Sequence, residues 1–282
     1  VIPASFEYRR AGTVAEAIEL LQDGGEDAKL LAGGHSLIPL MKLRLAAPSL
    51  LIDIGRLPGL GGVRRDDGSF RIGALVPHAE LARNGQLGII ARAAATIADP
   101  QVRNRGTIGG SLAHGDPASD LPAVLLALEG SVTVQGPSGQ RTLSASQLFV
   151  DYLQTALAHD EVLTEVSVPA LDGWGYGYQK FNRRAEDWAM VAVSALVRRA
   201  EDGSCEDVRV ALTNMGSTPL RARAVEQALR GGPLDAGAIA AAAANAAEGT
   251  DPPADLNASA EYKRHLARVL CERALREAAG IA

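Results

Sequence analysis

The 282-residue chain contains two cysteines, Cys205 and Cys271, far apart and in no CxxC or other ligand spacing. An iron–sulfur cluster commonly takes four thiolates and a structural zinc several Cys and His together, so the chain by itself is expected to hold neither. Long apolar runs are also missing. None approaches the ~20 residues of a membrane span, and the opening VIPASFEYRR has no apolar core of the secretory type. The cytoplasm is therefore the expected compartment. No sign of charge dominates: 28 Lys and Arg are scattered among 33 Asp and Glu, for a net charge of −5. That field does not favour nucleic acid or an anionic membrane. Two signatures are absent as well, the GxGxxG of dinucleotide folds and the GxxxxGK[ST] of NTPases.

Apolar residues make up 47% of the chain, although only 4% are aromatic. A chain this long buries roughly 70–75% of its unfolded surface in one large or several smaller cores. Thr13 and Glu16 have the spacing of a capping box, and Val14, Ala17, Ile18 and Leu21 follow at helical spacing until Gly24 and Gly25, which predicts a first helix. Residues 29–32 and 50–54 read as strands around a tight loop and a short helix over 37–45, a β-α-β-like unit. Further along, a strand is expected over 70–75, a helix over 89–98 and a helix start at Asp120, where Asp can cap and Pro122 fits the first turn. A hairpin over 131–135 and 141–143 and a strand over 161–168 follow. The Gly-rich DGWGYGYQ from Asp172 reads as a boundary. Beyond it come strands over 190–198 and 208–213 and two helices near 235–247 and 258–279. No solenoid repeat is present.

Two stretches carry paired glycines, the first directly after a short apolar run and the second with hardly any long apolar residue to pack. KLLAGGHSLIP begins at Lys29 and TIGGSLAHGDPASD at Thr107. Glycine lets the backbone approach a ligand without a Cβ in the way, and consecutive exposed N–H groups suit an anion such as a pyrophosphate. Each hydrogen bond to a charged group contributes ~1.5–3 kcal/mol, so two loops with several N–H and hydroxyl donors could hold a dinucleotide without an Arg clamp. Either glycine pair alone could equally be a tight turn.

Both stretches, in this order, resemble the two flavin-binding motifs in the medium subunit of carbon monoxide dehydrogenase and related molybdenum hydroxylases. The resemblance covers nearly the whole chain, from IPASFEY at Ile2 through LIDI at Leu51 and GAL at Gly73 to AEYKRHL at Ala260. It implies an α/β plus α+β fold: an FAD-binding domain of two α/β subdomains, of the vanillyl-alcohol-oxidase-like type, then a C-terminal α+β domain of antiparallel sheet and helices closing over the flavin. The corresponding boundaries are 1–56, 57–174 and 175–282. By this resemblance the backbones of Ala32, Gly33, Gly34, His35 and Ser36 and of Thr107, Gly109, Gly110 and Ser111 would cradle the pyrophosphate, with the hydroxyls of Ser36, Thr107 and Ser111 as added donors. Lys29 would lie along the adenosine. Asp120 resembles a family carboxylate that bonds ribityl or ribose hydroxyls, a role compatible with capping a helix. Trp188, in FNRRAEDWA, would pack on the isoalloxazine unless it is a core residue, and Lys180 would contact the flavin edge. Some flavin oxidases of related fold tether FAD through a His in a GGH loop, but carbon monoxide dehydrogenase relatives do not, so the FAD is expected to be noncovalent. Of the other histidines, His78 and His159 are expected to be solvated, His265 lies on a charged helix, and His114 with Asp116 suits hydrogen bonding within the loop.

The resemblance implies an FAD-carrying electron-transfer subunit with no catalytic residue of its own for the organic or gaseous substrate. Its partners would be a small chain with [2Fe–2S] clusters and a large chain with the molybdopterin cofactor, assembled as a dimer of heterotrimers. Two other readings remain open on the residues: a self-sufficient flavin oxidase or reductase, and a nucleotide-binding module without redox function.

Overall fold

The computed structural model describes residues 2–281. Its first sheet has three parallel strands, Glu7–Arg10, Leu50–Asp53 and Ala28–Leu31, with Leu50–Asp53 in the middle. The helix Val14–Gly24 covers it with Ala17, Ile18 and Leu21. Thr13 caps that helix by accepting from the Glu16 N–H, while the Glu16 carboxylate accepts from Gly12 N at 2.7 Å. The strand Glu7–Arg10 was not anticipated, for a physical reason. All four of its residues are exposed, so it carries no apolar alternation and is held in the sheet through its backbone. The helix expected over 37–45 is shorter, Leu37–Lys42.

A second sheet is antiparallel throughout, in the order Val63–Asp66, Ser69–Gly73, Val162–Pro169, Ser131–Gly136, Gly139–Ser144. Its apolar face, including Ile72, Val132, Val134 and Val166, packs with Leu112 and Val124 from the helices Ile108–His114 and Asp120–Ala127. The expected helix over 89–98 is limited to Ile89–Ala94.

The third sheet, Trp174–Phe181, Val191–Arg199, Cys205–Thr213 and Leu220–Arg221, is also antiparallel. It is covered on both faces, which explains the nearly unbroken apolar run of its second strand. Val191, Val193, Ala195 and Val197 share a core with Leu266, Leu270 and Leu275 of the helix Ala260–Ala279. Ala192 and Leu196 point the other way, into the core of the second sheet, together with Tyr178 and Ala211. The two units are thus joined by packing, and the cavity described below opens at their junction.

The Gly-rich stretch after Asp172 forms the edge strand Trp174–Phe181. A Cβ at Gly175 or Gly177 would overlap the carbonyl oxygens of Ala278 and Ala274. Glycine is needed there so that the long C-terminal helix can lie against the strand. The short helix Arg223–Leu229 was also missed, because only Val225 and Leu229 mark an apolar side over two turns.

Candidate cofactor site

A cavity of about 570 Å³ runs between the two glycine loops and reaches the third sheet. That size falls within the ~300–1,000 Å³ of small-molecule sites. The first loop leaves the strand Ala28–Leu31 and enters the helix Leu37–Lys42. Among the described residues, the N–H groups of Gly33, Gly34, His35 and Ser36 have no protein acceptor. Gly34 has φ of 79° and a Cβ there would come within 2.7 Å of Ile38 Cδ1. A Cβ at Gly33 would overlap the carbonyl oxygen of Arg105. Both glycines are therefore required by the protein's own packing before any ligand is considered.

The second loop differs. Ile108 N donates to Val76 O at 3.1 Å, Gly109 N to Ala74 O at 2.9 Å and Gly110 N to Thr107 Oγ1 at 3.1 Å. Ser111 N donates to Thr107 O within the first helical turn. The sequence suggested two equivalent N–H nests, but the N–H groups of this loop are already engaged. What it turns to the cavity beyond its backbone are the hydroxyls of Thr107 and Ser111. A Cβ at Gly109 would stand 2.6 Å from Ala74 Cβ, so this glycine lets the helix Ile108–His114 sit on the end of the preceding strand. Asp116 is a loop residue, accepting from Ala118 N at 2.8 Å.

Asp120 does not cap its helix; the capping position belongs to Ser119. The Asp120 carboxylate is buried and accepts from Tyr178 Oη at 2.5 Å and Lys180 Nζ at 3.0 Å, both from the edge strand of the third sheet. Burial raises the Asp120 pKa, and the Lys180 ammonium and the Tyr178 hydroxyl work against that rise. Burial also pushes Tyr178 well above its ordinary value. Lys180 further donates to Thr96 O at 3.2 Å. Both Asp120 and Lys180 line the cavity.

Trp188 lines the same end and is 55% exposed, which removes the alternative that it is a core residue. Its segment is held by Asn214, which the sequence did not mark. With φ of 61°, Asn214 donates from Nδ2 to Ala189 O at 2.9 Å and Met190 O at 3.1 Å, and from its backbone to Pro117 O at 2.8 Å. One residue thus ties the Trp188 segment to the second loop. Lys29 and His35, both exposed, also line the cavity.

His78 was expected to be solvated and is instead 5% exposed, on the cavity wall. Nothing local betrays this burial, since Glu80 and Arg83 on the same short helix are exposed. The second loop covers it, with His78 N donating to Gly106 O at 2.9 Å. Burial, with His35 and Arg103 nearby pushing the same way, lowers its pKa to about 4. Cys205 and Cys271 are free and buried, their thiols pushed up to about 11 and about 12 by burial. Among the described residues no group of three His, Cys, Asp or Glu side chains is arranged to hold a metal ion, and no helix is long and apolar enough to cross a membrane.

A cavity lined by open N–H donors at one loop, hydroxyls at the other, an exposed indole and a buried carboxylate fits a dinucleotide with a flat ring system. Such a site, on a mixed α/β domain followed by an antiparallel sheet with helices, defines a flavoprotein. Comparison with known proteins makes this specific. Residues 4–171 match the FAD binding domain in molybdopterin dehydrogenase, and residues 176–278 match the CO dehydrogenase flavoprotein C-terminal domain. The chain belongs to the family of FAD-binding medium subunits of carbon monoxide dehydrogenase and related molybdenum hydroxylases, and is an oxidoreductase subunit of that kind. It is 43% identical to the carbon monoxide dehydrogenase medium chain of Hydrogenophaga pseudoflava, over 99% of this chain and 98% of the relative. It is also 43% identical to the 6-hydroxypseudooxynicotine dehydrogenase complex subunit alpha of Paenarthrobacter nicotinovorans, over 98% of this chain and 95% of that one. A solved structure of the Hydrogenophaga pseudoflava carbon monoxide dehydrogenase superposes with a TM-score of 0.95 at 44% identity, covering 99% of this chain and 98% of that chain.

Proposed function

We propose that this chain binds one FAD noncovalently and relays electrons from the [2Fe–2S] clusters of a small partner chain to an external acceptor. A large partner chain carries the molybdopterin cofactor, and the complex is a cytoplasmic dimer of such heterotrimers. The observation that carries the reading is the set of open N–H groups at Gly33, Gly34, His35 and Ser36, in one cavity with the Thr107 and Ser111 hydroxyls and with Asp120 and Trp188. In this reading residues 1–56 and 57–174 clasp the cofactor and residues 175–282 close over it. The first loop's N–H groups and the hydroxyls of Ser36, Thr107 and Ser111 hold the pyrophosphate. Lys29 stands along the adenosine, Asp120 accepts from ribityl or ribose hydroxyls, and Trp188 lies against the isoalloxazine. Lys180, already bonded to Asp120, orients that carboxylate. FAD, when bound, supplies the redox chemistry, while the chain supplies binding, orientation and exclusion of water.

Large apolar side chains stand exposed near the cavity, as a partner surface requires. Leu43 and Leu45 follow the first loop's helix, Val150 lies on the two-stranded ribbon Phe149–Asp151 and Gln154–Thr155, whose Thr155 lines the cavity, and Tyr152 is in the turn joining its strands. The hydroxylated substrate belongs to the large chain. Two relatives at equal identity carry names that point to different substrates, carbon monoxide and 6-hydroxypseudooxynicotine. The experiment is to purify the native protein, identify what travels with it and assay the chain alone. Copurification with an iron–sulfur chain and a molybdopterin chain, and no substrate oxidation by the isolated chain, are expected. Substrate-driven flavin reduction by a native monomer would instead establish a self-sufficient oxidoreductase.

Trp188→Ala provides a second test. A buried Trp removed to Ala costs ~3–5 kcal/mol, but this indole is more than half exposed. The variant should lose less than ~1 kcal/mol of stability while altering flavin fluorescence and absorbance. Unchanged flavin spectra in a folded variant would remove Trp188 from the ring's surroundings.

A further inference from the structure

His78 is a buried titratable side chain to which the arrangement above gives no task. It is 5% exposed, and its Nδ1 is buried without a hydrogen-bond partner. Buried polar atoms in folded proteins are nearly always paired, so a specific exception on a cavity wall calls for a ligand or a function. The fold reserves space for this ring. Pro77 bridges Thr107, His78 N is bonded to Gly106 O, and a Cβ on Gly106 would stand 2.8 Å from the imidazole Cδ2 and 3.0 Å from Nε2. The imidazole is therefore clamped directly before the capping threonine of the second loop, in the same cavity as the first.

Two basic side chains act on it in the same direction as burial. His35 acts on it from the first loop and Arg103 from the helix Pro100–Arg103. On its own helix Glu80 and Arg83 are exposed, and Arg92, on the packed helix Ile89–Ala94, is also exposed and pairs with Glu277. A buried, unpartnered imidazole beside the Arg103 guanidinium, in one cavity with open N–H donors, is suited to an anion.

We propose that His78 is a cofactor-binding residue that takes up a proton as FAD binds: neutral in the flavin-free chain, it becomes a cation facing the pyrophosphate in the loaded one. The inference rests on the flavin reading above. The proton comes from solvent, and no bond of the cofactor is made or broken. Because binding takes up a proton, affinity for FAD falls as pH rises. The slope reaches up to tenfold per pH unit between about 4 and the raised pKa of the loaded state, and vanishes above it. A merely structural imidazole gives no such slope.

The test is calorimetric titration of FAD into the flavin-free full chain near pH 6, in two buffers of different ionisation enthalpy. Wild type should take up a measurable fraction of a proton per FAD, approaching one. His78→Gln, which keeps hydrogen-bonding capacity without the charge, should lose that uptake and bind FAD roughly tenfold more weakly. If His78→Gln fails to fold, the His78 imidazole resonances of wild type decide the question, moving to the protonated position as FAD is added. Binding without proton uptake, or uptake that persists in His78→Gln and disappears in His35→Gln, would overturn the proposal. Failure of wild type to bind FAD at all would instead strike the flavin reading, and this inference with it.

Discussion

Asp120→Ala should lower the stability of the chain by roughly 3–5 kcal/mol, because it leaves the Lys180 ammonium buried without its counter-charge. The Asp120 and Lys180 side chains are each only 5% exposed and meet at 3.0 Å. Tyr178 loses its acceptor in the same substitution. The pair spans the junction between the helix Asp120–Ala127 and the edge strand Trp174–Phe181, so its loss loosens the wall of the cavity as well as the core beside it. Urea unfolding of the flavin-free chain measures the loss. The double variant Asp120→Leu with Lys180→Met separates structure from function. An apolar pair of similar volume is commonly neutral or stabilising in place of a buried ion pair, so most of the stability should return. FAD affinity should remain reduced, because no carboxylate is left to accept from the cofactor's hydroxyls. Full recovery of both stability and FAD affinity would show that Asp120 serves the fold alone.

Gly33→Val should reduce FAD affinity on the order of a hundredfold, ~2.7 kcal/mol, while costing ~1–3 kcal/mol of stability as an overpacked site. The added Cβ would overlap the Arg105 carbonyl oxygen and approach Gly106 Cα to 2.9 Å. The first loop must then move away from the segment that leads into Thr107, and its open N–H groups no longer converge with the second loop's hydroxyls. Several hydrogen bonds to a charged pyrophosphate, each ~1.5–3 kcal/mol, weaken together. Gly61→Ala is the control, since a Cβ at Gly61 meets nothing within 4 Å. Flavin content after purification and titration of FAD into the folded variants are the measurements. Undiminished affinity in a folded Gly33→Val chain would move the cofactor away from this loop.

The sequence by itself determined a good deal. Paired glycines and hydroxyls stood together in two short stretches, the second also with two carboxylates, and both stretches line one cavity. The buried strand Val191–Arg199 was legible as an apolar run, and the scarcity of cysteine bounded the cofactors the chain could hold. Such features are readable because they depend on near neighbours in the chain and on composition. The strand Glu7–Arg10 was not, because it enters its sheet through backbone pairing with residues more than forty positions away and shows no apolar side.

Tertiary structure alone decided how the site's groups are used. Asp120 reads locally as a helix cap, yet its carboxylate is claimed by Tyr178 and Lys180, 58 and 60 positions away, because burial makes a pair of hydrogen-bonded partners worth more than an exposed cap. The two glycine loops look alike in sequence, but one keeps its N–H groups open, while the other spends them on Ala74, Val76 and Thr107 when it packs onto the end of a neighbouring strand. His78 shares a short helix with the exposed Glu80 and Arg83, and its Nδ1 becomes buried and unpartnered only where the segment leading into the second loop packs over it. Whether a donor is free, a charge paired or a ring buried depends on which distant backbone arrives beside it, and no local pattern of residue types encodes that arrival.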